Sequence, residues 1–80
     1  MRYLECGDYK VYKSRVLTEF VAKGDRYDIV FNADQRNGEV CFNIVLVRDK
    51  EKDRTLRSPR LTTKFRWLVR DMAQMVASNW

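Results

Sequence analysis

The sequence predicts an α+β fold: an antiparallel β-meander of three to four strands with a C-terminal amphipathic helix packed on one face. Three observations predict it. Two stretches of alternating apolar and polar residues flank an Asn-Gly pair, and the last quarter repeats apolar residues at helical spacing. The third is length: 80 residues hold one small core, so residues 1–80 read as a single small α+β domain.

The central hairpin is the clearest element. Tyr27, Ile29, Phe31 and Ala33 share one face of a strand, and Asp28 and Asn32 share the other. In Glu39–Val47, Val40, Phe42, Ile44 and Leu46 line one face in the same way. Asn37-Gly38 lies between them and tolerates the positive φ of a tight turn.

Residues 8–23 admit two readings. Tyr9, Tyr12, Val16, Leu17, Phe20 and Val21 fit a helical face, with Asp8 as cap and Gly24 as stop. Their Val, Thr, Tyr and Phe content favours strand, and Val16–Ala22 followed by Lys23-Gly24-Asp25 reads as a second hairpin. Strand is the stronger reading, placing the sheet at about residues 9–48. A helix here would give the element order of a double-stranded-RNA-binding domain. The glycine-rich, lysine-paired opening of that family's last helix is absent, with Ser58-Pro-Arg-Leu-Thr-Thr-Lys-Phe-Arg66 in its place.

Residues 49–58 read as a basic loop, with room for a short further strand. A helix is predicted over about 59–78, with Ser58-Pro59 as cap and first turn, or Thr62 or Thr63 as a later cap. Leu61, Phe65, Leu68, Met72, Met75 and Val76 form its apolar stripe.

Composition weighs against catalysis. The chain has no histidine, the commonest general base near neutral pH and the commonest transition-metal ligand. Cys6 and Cys41 lack metal-ligand spacing, and Cys41, inside an apolar strand, reads as a neutral packed thiol. Glu51 and Asp53 lie in a run of alternating charge and read as a solvated loop. Gly7, Gly24 and Gly38 stand apart at turns, so no phosphate-cradling loop is present. Neither an enzyme nor a cofactor is expected. No apolar run is long enough to span a bilayer, and Met1–Cys6 lacks the apolar core of a signal peptide. Two cysteines make no disulfide framework, so free thiols and a cytoplasmic location are expected.

Charge is unevenly placed. Residues 1–47 hold seven basic and seven acidic side chains, so the net charge of +5 resides wholly in residues 48–80. Within Arg54–Arg70 stand Arg54, Arg57, Arg60, Lys64, Arg66 and Arg70, with no acidic residue among them. Arg57, Arg60 and Lys64 crowd the start of the predicted helix, where the macrodipole disfavours cations by roughly 0.3–1 kcal/mol each. An arriving phosphate would reverse that sign. The plainer reading is a solvated basic face paired with Asp49, Glu51 and Asp53, and the two weigh about equally.

Trp67 lies about 120° from the centre of the apolar stripe, among Arg60, Lys64 and Arg70. It reads either as a stacking or interface aromatic, or as core; the usual burial of tryptophan slightly favours core. Tyr27, Phe31 and Phe42 could form a base-stacking platform on the sheet, but they share faces with aliphatic residues and fit the core better. Trp80 either packs back on the sheet or frays.

The expected function is a non-catalytic binding protein using this basic patch on nucleic acid, DNA or RNA. The alternative is a protein-binding regulator or inhibitor, of the kind that phages and other mobile elements encode. Such a protein would engage an acidic or nucleic-acid-binding surface. A homodimer through exposed sheet edges is a third possibility.

Overall fold

The computed structural model describes residues 2–57 and 63–80 and, for 57, 63 and 64, the backbone alone. Six strands precede one helix: β1 (Tyr3–Cys6), β2 (Tyr9–Lys13), β3 (Glu19–Lys23), β4 (Tyr27–Arg36), β5 (Glu39–Asp49), β6 (Arg54–Arg57) and α1 (Thr63–Asn79). The strands form one antiparallel sheet in chain order. The architecture is the predicted α+β meander, with six strands where three to four were expected.

Both additional strands lie at the edges, where the sequence signal is weakest. β1 is four residues long, too short for alternation to stand out, and its backbone pairs with β2 across the Gly7-Asp8 turn, where Gly7 takes a φ of 58°. β6 occupies part of the expected basic loop. It has one apolar residue, Leu56, and its register with β5 runs from Asp49↔Arg54 to Leu46↔Arg57. A charged edge strand of this kind is held by ladder hydrogen bonds rather than by a buried face. Residues 8–23 are strand, as β2 and β3, so the helix-first order does not arise.

The β4–β5 hairpin closes at Asn37-Gly38, with φ 52° and 78°, between the Arg36↔Glu39 pair. Both central residues have positive φ, as the two-residue turn matching strand twist requires. One detail departs from simple alternation. Val30 pairs with Leu46 but Phe31 pairs with Ile44, which leaves Val45 as an extra residue in β5. Such a bulge reverses the inside–outside phase of everything beyond it. Leu46 therefore leaves the face it was expected to share with Val40, Phe42 and Ile44, and Val47 takes the buried position.

The helix covers one face of the sheet, against β4, β5 and β1. Beneath it a row of registered partners, Leu4, Val11, Ala22, Ile29 and Val47, crosses the sheet, with Phe20 stacked on Phe31 alongside. From α1 the fully covered side chains are Val69, Met72 and Ala73, with Val76 nearly so. Phe65 meets Tyr27 edge-on, its ring centroid 4.9 Å away. The centre of the covered face is thus shifted by roughly 60° from the expected stripe, toward Val69 and Ala73, at 100° per residue. Alanine at 73 is small enough to let the helix sit close to the sheet. The expected start at Ser58-Pro59 and the stripe member Leu61 lie outside the described residues.

At its end the helix is tied to β1. Arg2 Nη2 donates to the Asn79 carbonyl at 2.8 Å, and its guanidinium lies over the Trp80 ring. Trp80 packs against Phe20, with centroids 5.7 Å apart. A cation at this position also meets the negative end of the helix dipole.

The opposite face of the sheet has no covering element among the described residues. Across it run Tyr3, Tyr12, Val21, Val30 and Leu46, in register from β1 to β5. No helix among the described residues is long and apolar enough to cross a membrane.

Candidate nucleic-acid interface

Of the predicted site residues, the structure gathers three. Arg66, Trp67 and Arg70 stand on the flank of α1 that turns away from the core and over β5. There they and Phe42 line a shallow cavity of about 130 Å³. The local reason is periodicity. With Val69, Met72, Ala73 and Val76 turned inward, positions 66, 67 and 70 fall on the outer arc of the helix. Trp67 is 56% exposed, so the core reading is set aside. Arg70 lies one helical turn further on, with its guanidinium carbon 5.2 Å from the Trp67 ring centroid.

A second cavity continues from the first. It has a volume of about 390 Å³ and is lined by Gly38, Glu39, Val40, Phe42, Arg70 and Gln74. Phe42 and Arg70 belong to both, so the two join into a trough along the helix flank, ending at the β4–β5 turn. Phe42, weighed as a stacking aromatic and read in preference as core, is half-buried and lines both cavities. No sequence signal distinguishes it from its strand neighbours, because its open edge depends on the helix side chains that stand beside it, Arg66, Trp67, Arg70 and Gln74. Tyr27 and Phe31 face the helix and offer no base-stacking platform.

The remaining cations are placed differently. Arg54 opens β6, opposite Asp49 in register, and is exposed. Arg57 closes the same strand, and Lys64 lies in the first turn of α1. Arg60 lies outside the described residues.

The carboxylates expected to neutralise this patch are engaged elsewhere. Asp49 accepts from Arg26 at 3.3 Å, and Glu51 lies 3.5 Å from the same guanidinium. Asp53 holds Arg48 at 2.6 Å. Among the described residues no ion pair involves Arg54, Arg66 or Arg70. The first turn of α1 contains no acidic side chain either. Arg26, from the β3–β4 turn, and Arg48, from β5, take the turn carboxylates, which leaves Arg54 without them among the described residues.

The Asp49 side chain is the latch of that turn. Burial works to raise its pKa, but the Arg26 hydrogen bond and the backbone N–H groups of Lys52 and Glu51 outweigh it. The carboxyl is held below its ordinary value. The Arg26 guanidinium is correspondingly held above its own, chiefly by the same hydrogen bond.

Both thiols are free. Cys6 is half-buried, and burial with the nearby Asp71 charge raises its pKa. Cys41 is exposed rather than packed: it pairs with Asp34 on the uncovered side, because alternation puts Phe42, not Cys41, beneath the helix. Among the described residues no three acidic or sulfur side chains converge in a metal-sized group.

No protein-family model, curated protein or solved structure matches this chain.

Proposed function

We propose that this chain is a non-catalytic nucleic-acid-binding protein. Trp67 stacks on an unpaired base while Arg66 and Arg70 take the adjoining phosphates. Arg54, Arg57, Arg60 and Lys64 supply further phosphate contacts. One observation carries the reading: a half-exposed tryptophan stands between two arginines that have no carboxylate partner among the described residues. Unpaired guanidinium groups beside an open ring match the two contacts a single strand offers, charge and base face. Two free thiols, one exposed, support a reducing intracellular setting.

The apolar floor that Phe42 adds favours a second reading, a protein partner whose acidic residues flank an aromatic or aliphatic anchor. The experiment that separates them is fluorescence anisotropy with labelled single-stranded and duplex oligonucleotides at two salt concentrations. Wild type should bind the single strand, with log affinity falling by about 0.7 per phosphate contact for each log unit of salt. Arg66→Gln/Trp67→Ala/Arg70→Gln should weaken binding and flatten the slope. Absence of binding by folded wild type at low salt rejects nucleic acid and leaves the protein reading.

A further inference from the structure

We propose that the uncovered face of the sheet carries a second site for single-stranded nucleic acid, built on Tyr3, Lys10, Tyr12 and Lys23. It shares the ligand class proposed for the Trp67 flank and none of its residues, and it lies on the opposite side of the sheet.

The register makes the case. Lys10 and Lys23 are direct cross-strand partners in the β2–β3 pair. Like charges directly opposite one another destabilise a sheet, and a carboxylate normally relieves them. Two are close in the same row: Glu5 is opposite Lys10, and Asp28 is opposite Lys23. Neither forms an ion pair with these lysines among the described residues, and Asp28 instead lies 3.2 Å from Lys50. Each ammonium rests on a tyrosine ring. Lys10 is 5.1 Å from the centroid of Tyr3, and Lys23 is 5.6 Å from that of Tyr12. The two rings are themselves neighbours, 5.5 Å apart and tilted by 42°.

This cluster has the two components a single strand requires. The lysines are exposed and adjacent, and their flexible stems can swing from ring to phosphate. That movement uncovers two aromatic faces, one per base, and Tyr3 is already 40% exposed. Beyond Tyr12 the row continues through Val21 and Val30, an apolar floor along which sugars and bases can lie. Charge selects the occupant: an acidic polymer relieves the Lys10–Lys23 repulsion, whereas a purely apolar partner would bury it.

Labelled oligo-dT and oligo-U titrated into the intact chain test the site. Lys10→Gln/Lys23→Gln removes two phosphate contacts. It should flatten the log–log salt slope by about 1.4 and weaken binding about 25-fold near 0.1 M salt. Tyr3→Leu/Tyr12→Leu keeps the charge, so affinity should fall while the slope stays as in wild type. Far-UV circular dichroism confirms that each variant is folded. Binding of either variant within about twofold of wild type overturns the proposal. Loss of binding in Arg66→Gln/Trp67→Ala/Arg70→Gln alone does so too, and leaves the Trp67 reading standing. Loss in the lysine and tyrosine variants alone keeps this site and rejects the other. A wild-type chain that binds neither oligonucleotide rejects both.

Discussion

Replacing Trp67 by alanine should separate binding from folding. The ring is 56% exposed, so a little under half of its surface is removed from water, roughly 110 Å² of a side chain of about 250 Å². At about 25 cal/mol per Å² that burial contributes about 2.7 kcal/mol. The figure is an upper bound, because the unfolded chain already covers part of the ring. Alanine returns about 0.5 kcal/mol through its helix propensity. The net loss of stability should therefore be about 1.5–2 kcal/mol, below the 3–5 kcal/mol typical of a core tryptophan. Binding is expected to fall by about 1–3 kcal/mol, the contribution of one stacked base. Urea denaturation followed by far-UV circular dichroism measures the first quantity, and oligonucleotide anisotropy below the transition measures the second. A stability loss above 3 kcal/mol with unchanged binding would show that Trp67 is a packing residue and that the proposed contact is wrong.

Three further outcomes are expected. A Cβ at Gly24 would stand 2.7 Å from Cε2 of Tyr9, so Gly24→Ala should destabilise by about 1–3 kcal/mol, and Tyr9→Leu in the same chain should recover most of it; equal losses in both backgrounds would refute the clash. Because folding lowers the Asp49 pKa, the stability this carboxylate adds is present above the ordinary aspartate value and is lost as pH falls through the folded one. The stability gap between wild type and Asp49→Asn, measured by urea titration, should hold steady above the ordinary aspartate pKa of about 4 and close as pH falls below it, and a gap that widens on acidification would contradict the latch. Arg2→Ala removes the bond to the Asn79 carbonyl and the cation over Trp80. It should cost about 0.3–1 kcal/mol and show first as faster amide exchange in β1, whereas loss of protection in β4 instead would place the tie elsewhere.

The long elements were legible because their periodicity spans enough residues to exclude other conformations. β4 and β5 alternate for about ten residues around Asn37-Gly38, and the Phe65–Val76 spacing fits only a helix. The edge strands were not legible, since Tyr3–Cys6 and Arg54–Arg57 owe their conformation to a neighbour's backbone rather than to their own side chains. The bulge at Val45 was hidden for another reason. Glu39–Val47 is apolar on both faces near its end, so nothing in the letters marks where the phase changes. At the candidate site the sequence supplied the cations and the tryptophan, but not which carboxylates would be occupied. Arg26 is 23 residues from Asp49, and only the turn that brings them together decides the pairing. The Lys10–Lys23 pair was illegible likewise, because register is not written in either strand alone.

The extra residue in β5 gives that strand slack for a loss of length and none for a gain. Excising Val45 would restore plain alternation while Ile44 stays opposite Phe31 and Val47 opposite Ile29. Val47 would remain beneath the helix, and the carboxylate that clasps Arg26 would keep its side of the sheet. An inserted residue between Ile44 and Val47 would instead need a second bulge, or would turn Val47 to water and Arg48 beneath the helix. Natural variants of this protein should accordingly accept a one-residue deletion at this point of the strand more readily than an insertion.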